Sequence, residues 1–140
     1  TTSAASEYLR ALNARGLLQA KRHGRHVRYE AAHDPSLPGT ELLLNALRIS
    51  LGKKKGAIDS AFRSLTAFTH PRRITLFRAV AAGAGDLSTI RAGTGISSAA
   101  AVRHLKKLLR RGCIGRVNDR YRLRRPLDPL ARALTGLALQ

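Results

Sequence analysis

Two short segments near opposite ends of this 140-residue chain carry reactive side chains at matching spacing. One holds Thr2, Ser3, Ser6, Glu7 and Arg10, and the other holds Ser98, Val102, Arg103 and Lys106. Hydroxyls and cations three or four residues apart on a helix face suit hydrogen bonding to base edges and phosphate oxygens in a nucleic-acid groove. Arg103 or Lys106 suits a guanine edge. Glu7 repels phosphate, but can accept from a cytosine amine or hold Arg10 in place. The plainer reading of both faces is ordinary solvated helix. Each segment leads into a basic stretch: Lys21, Arg22, Arg25 and Arg28 after the first, Arg116, Arg120 and Arg122 after the second. Arg25, expected at a turn tip, is best placed for a minor-groove or phosphate contact.

Other chemistries find little support. Eight carboxylates are present, and none pairs at general acid–base spacing in a Gly-rich or His-rich context. No phosphate-binding glycine loop, nucleophile elbow or zinc pattern occurs, so the reading is not an enzyme and carries no cofactor. His23 and His26, with His33 nearby, lack a cysteine or carboxylate at ligand spacing and read as turn polarity, with no metal site expected. Cys113, the single cysteine, reads as a small apolar core residue, with redox sensing as the lesser alternative. It cannot form an intramolecular disulfide, and a reducing cytosol is the default. Lys53, Lys54 and Lys55 read as a solvated linker or a phosphate clamp.

The elements that must position these residues repeat. With Gly16 aligned on Gly112, Leu9 falls on Leu105, Leu12 on Leu108, Arg15 on Arg111 and Leu18 on Ile114. Each copy reads as a Ser/Thr/Ala-rich helix start, an amphipathic basic helix, a glycine stop and an arginine-rich strand pair. In the first copy Ala5, Tyr8, Leu9 and Leu12 predict an apolar stripe on a helix over 3–15. Strands follow over 17–22 and 26–31, around a turn at 23–25. Tyr8 and His104 are equivalent and are expected at the rim of the stripe, within reach of a phosphate. Thr40 is expected to cap a helix over 40–51, and a further helix covers about 58–68. Pro71 suits a helix first turn, and Asp86 a cap for a short helix over 87–92. Ser97 is expected to cap the second basic helix, with Ile96 and Ala101 as a staple. A hairpin then turns at Asn118-Asp119, and a Leu/Ala helix covers 127–139. The second hairpin is the shorter, which predicts less reach and an asymmetric site.

Composition narrows the partner. The chain is 44% hydrophobic but only 4% aromatic, so aliphatic side chains must form the core, which favours helices. Lys and Arg number 26 against 8 Asp and Glu, giving a net charge of +18. Such an excess points to a polyanion, with nucleic acid ahead of a membrane surface. No apolar run is long enough to span a bilayer. Thr1 opens on a polar helix start, so no signal peptide is expected. With no Met, the chain reads as part of a longer polypeptide.

Two helices around a short glycine-containing turn, followed by a hairpin, form the winged helix-turn-helix plan. Residues 68–77 (FTHPRRITLF), 96–108 (ISSAAAVRHLKKL) and 22–29 (RHGRHVRY) resemble the opening helix, recognition helix and wing of the ArsR-type winged-helix transcription regulators. The resemblance covers roughly 1–35 and 57–125. It departs from the metal sensors of that family: no cysteine lies in 86–98, and no His or acid in 131–140. The expected fold class is mainly α with small β-hairpin wings, a tandem winged helix-turn-helix in pseudo-dimeric form. Its parts are 1–35, a recognition helix and wing lacking their preceding helices; 36–56, a connecting helix and basic linker; 57–126, a complete second copy; and 127–140, a packing helix. The missing core of the first copy must lie upstream or in another part of the assembly.

The resemblance and the charge together imply a sequence-specific regulator of transcription that binds double-stranded DNA, with recognition helices about one helical turn apart. It would sit in the cytoplasm on the nucleoid, with self-association through the 40–51 and 127–139 helices. The alternatives are a winged-helix protein–protein scaffold and a non-catalytic winged-helix region of a larger enzyme.

Overall fold

The computed structural model describes residues 2–52 and 55–140, and of Thr2 only the backbone. The Lys53 and Lys54 part of the expected clamp, and the Thr2 side chain, lie outside the described residues. Seven helices and two two-stranded antiparallel hairpins are present among these residues, a mainly helical fold with small β-hairpins. The chain forms two compact units, residues 1–48 and 49–140. These differ from the sequence-based boundaries: residues 36–48 belong with the first unit, and the C-terminal helix is integral to the second.

The first unit contains α1 (Thr2–Ala14), β1 (Gln19–His23), β2 (His26–Glu30) and most of α2 (Thr40–Leu51). Its organising residue is Gly16, which ends α1 at φ +72°. A Cβ there would lie 2.8 Å from both the Asp34 Cβ and the Leu37 side chain. The Gly16 carbonyl accepts from the Asp34 N–H at 2.9 Å, so the 34–40 segment folds back against the end of α1. Asn13 Oδ1 accepts from the Ala20 N–H at 3.1 Å and fastens the hairpin to the helix. Thr40 is the first residue of α2, not its cap. Its hydroxyl instead donates to the Asp34 and Leu37 carbonyls, which closes the preceding turn. The expected stripe of α1 is poorly covered: Ala5, Tyr8 and Leu12 are exposed and Leu9 is half-buried.

The second unit holds α3 (Ala57–Leu65), α4 (Pro71–Ala81), α5 (Leu87–Thr94), α6 (Ser98–Arg110), β3 (Ile114–Val117), β4 (Arg120–Leu123) and α7 (Pro129–Leu139). Local chemistry sets most of its boundaries. Pro71 opens α4, and His70 Nδ1 accepts from the Arg72 N–H as its cap. Asp86 caps α5 through the Thr89 N–H at 2.8 Å, and these bonds hold its carboxyl below the usual carboxylate range. Asp128 caps α7 through the Ala131 N–H. Ser97 precedes α6 but makes no side-chain cap bond, contrary to the expectation from sequence. Asn118 and Asp119 both take positive φ, the requirement of a two-residue type I′ hairpin turn.

The core of this unit gathers Leu76, Phe77 and Val80 of α4, Ile90 of α5, Ala101, Leu105 and Leu108 of α6, Ile114 of β3 and Ala138 of α7. Phe68 meets Phe77 edge to face at 5.0 Å. α7 packs on α3 and α4, and Arg78 Nε donates to the Ala138 carbonyl at 2.6 Å near the end of α7. Its buried face, Leu130, Ala133 and Ala138, is therefore used within its own unit. Cys113 is buried in this core, and burial pushes its thiol up to about 11. It stays protonated and apolar at neutral pH.

Candidate nucleic-acid interface

The amphipathic period of α6 commits one side to the core. Ala101, Leu105 and Leu108 face α4 and α5, so Ala99, Arg103, Lys106 and Arg110 must face outward, and all four are exposed. Val102 is half-buried beside them, and Ser98 is half-buried at the helix start. An open cleft of about 630 Å³ runs along this side. Arg73 of α4 and Arg103, His104, Lys106, Lys107 and Arg110 of α6 line it, with no carboxylate among them. A concave surface of one charge sign concentrates polyanions. Of the sequence candidates, Val102, Arg103 and Lys106 are brought together here.

Arg73, Lys107 and Arg110 were missed. Arg110 continues the Arg103–Lys106 face at helical spacing, and that period was the available signal. Arg73 had none, because it lies on another helix and only the packing of α4 against α6 brings it to the cleft.

His104 is not at a rim. It is 7% exposed, and its ring lies 4.5 Å from that of His70. Burial above all, then His70, Arg103, Arg73 and Arg72, lower its pKa below the ordinary histidine value. Tyr8, its equivalent in α1, is 73% exposed, so the rim expectation fails for both residues in opposite directions.

The second hairpin uses its cations partly on itself. Arg116 pairs with Asp119 at 3.2 Å and lies 5.6 Å above the Tyr121 ring. Arg120 packs its guanidinium against Gly85, while the Tyr121 N–H donates to the Gly85 carbonyl. Arg122 is exposed on the other face of the ribbon from Arg116.

In the first unit Ser3, Glu7 and Arg10 are exposed along one side of α1, and Ser6 is half-buried. Glu7 forms no ion pair with Arg10 among the described residues, so it does not hold that arginine in place. The hairpin pairs Lys21 with Arg28 and Arg22 with Val27, which puts Arg22 and Arg28 on opposite faces. Lys21 and Arg28 are like charges directly across the ladder, a repulsion eased by the 2.7 Å ion pair of Lys21 with Glu30. That pair also lowers the Glu30 pKa. The turn is Gly24-Arg25, with Gly24 at φ +60° and Arg25 exposed at the tip. His23 and His26 are cross-strand partners. No group of three His, Cys, Asp or Glu placed to hold a metal ion occurs among the described residues. No helix among them is long and apolar enough to cross a membrane.

No family model, curated protein or solved structure matches this chain.

Proposed function

We propose that this protein binds double-stranded DNA and regulates transcription, with α6 entering the major groove. The observation that carries the reading is the outward face of α6, where Arg103, Lys106 and Arg110 share a carboxylate-free cleft with Arg73 and Lys107. The order α5, a three-residue turn, α6 and the β3–β4 hairpin supports a winged helix-turn-helix similar to the ArsR-type regulators. On this reading the first unit is a second, partial copy, offering Ser3, Glu7 and Arg10 on a helix and Arg22, Arg25 and Arg28 on a wing. A nucleoid-bound cytoplasmic protein follows from it.

The test is a salt series on duplex DNA. The logarithm of the binding constant falls linearly with the logarithm of salt concentration, by about 0.9 for each phosphate neutralised. Arg103→Ala and Lys106→Ala lower affinity, and selection from a random duplex pool returns one motif. A slope near zero sinks the proposal.

A protein partner is the second reading. It is favoured by Ile58, Phe62 and Leu65, an apolar stripe along α3 in which Phe62 is 63% exposed. Full function in an Arg10→Ala/Arg103→Ala/Lys106→Ala variant would select it.

A further inference from the structure

Among the described residues three buried side-chain nitrogens have no hydrogen-bond partner, His104 Nε2, Arg73 Nε and Arg111 Nε, and the first two belong to residues that line the α6 cleft. Leaving a buried polar group unsatisfied is costly, more so when it is charged, so a pair of them on facing helices is unusual. Both residues line the same cleft, and the Arg73 guanidinium is held at its other end by a bond from Nη2 to the Thr69 hydroxyl. No acid is among the groups that act on His104. Arg72, Arg73 and His70 act on His104 from α4 and its cap, and Arg103 from its own helix. The other elements packed on α6 add no acid: α5 brings Arg91, at a separate cleft with Gly95 and Ser97, and β3 brings Arg116, engaged by Asp119 and Tyr121. His70 supplies no acceptor through Nδ1, which already accepts from the Arg72 N–H. What this arrangement lacks is an oxyanion.

We propose that the α4–α6 cleft is a phosphate site, in which His104 Nε2 and Arg73 Nε donate to the oxygens of a duplex backbone phosphate. The proposal rests on the DNA-binding reading and adds a specific consequence. In the free protein, burial and surrounding cations disfavour the protonated form of His104. A phosphate in contact favours the imidazolium, so binding takes up a proton. Affinity for the duplex then rises as pH falls, by up to about tenfold per pH unit between the bound and free pKa values.

The experiment uses the full chain and a fluorescent random-sequence duplex at low salt, from pH 5.5 to 8.5. Wild type is compared with His104→Gln and, as a second variant, Arg73→Gln. Circular dichroism checks that each is folded. The difference between wild type and His104→Gln is the quantity read. A parallel arm titrates inorganic phosphate while following the His104 ring resonances by NMR, assigned by their loss in His104→Gln. The proposal expects the low-pH gain in wild type, its loss in His104→Gln, weaker binding in Arg73→Gln and movement of the His104 signals with phosphate. DNA binding with the same pH profile in wild type and His104→Gln overturns the phosphate site and leaves the DNA reading standing. Phosphate shifts without duplex binding at any pH overturn the duplex source and the DNA reading, and retain a free-phosphate site. Neither binding nor shifts overturns both.

Discussion

Leu105 and Leu9 occupy the same place in two amphipathic helices 96 residues apart, as do Leu108 with Leu12 and His104 with Tyr8. In the second unit all three are sealed, Leu105 and Leu108 fully. In the first, Leu12 is 39% exposed and Tyr8 is 73% exposed, while Leu9 is half-buried. α6 has α4 and α5 across its apolar stripe; α1 has in its own unit a hairpin, the 34–40 turn and α2. One amphipathic pattern thus yields a core helix or a thinly covered one, according to what the rest of the unit lays against it. The polar faces diverge too, since α6 shares its cations with Arg73 of a neighbouring helix, whereas α1 carries Glu7 beside its one cation, Arg10.

The largest effect should come from emptying the equivalent leucine sites. Leu105→Ala costs about 2–5 kcal/mol, and Leu9→Ala about 1 kcal/mol or less. Hydrogen exchange read separately on peptides from each unit checks this. Equal losses would mean that α1 is as well packed as α6, and would break the contrast. The aligned glycines reverse the ranking. Gly112→Ala meets open space and pays only for φ +74°, about 1–2 kcal/mol. Gly16→Ala pays the same strain and also collides with Asp34 and Leu37, adding about 1–3 kcal/mol. Thermal melts of the two variants decide it, and Gly16→Ala should also release the 34–40 turn.

The smallest effect is the pH response. The His104 pKa is lower folded than unfolded, so the unfolded chain binds more protons below its ordinary value of 6.5. Its contribution to stability is complete above that pH and is lost as pH falls toward the folded value. The second unit therefore loosens below about pH 6.5, and His104→Gln flattens the response. Exchange rates in each unit across pH 5 to 7.5 test this, and a response confined to the first unit would refute it.

Much of the fold was legible because its signals are local. Gly16 and Gly112 stop helices, Pro71 and Asp86 start them, and Asn118-Asp119 turns a hairpin, each through the conformation or hydrogen bonds of a few adjacent residues. The 3.6-residue period identified Leu105 and Leu108 as core and Arg103 and Lys106 as surface. The same period misplaced Tyr8 and His104, because it gives the direction of a side chain and not what stands opposite it. Thr40 and Ser97 looked like caps by residue type, yet the Thr40 hydroxyl found carbonyls and Ser97 makes no cap bond.

The sequence by itself therefore determined the elements, the repeat and the cationic outer face of α6, since each follows from backbone preference and charge within one helix or turn. Only the tertiary structure decided which copy of the repeat has a sealed stripe, that Arg73 joins the α6 cleft, and that the His70 ring lies against a buried His104. These depend on contacts between different helices, not between neighbours in the chain. Local physics does not encode such contacts, because they arise when one apolar face must find another to leave water.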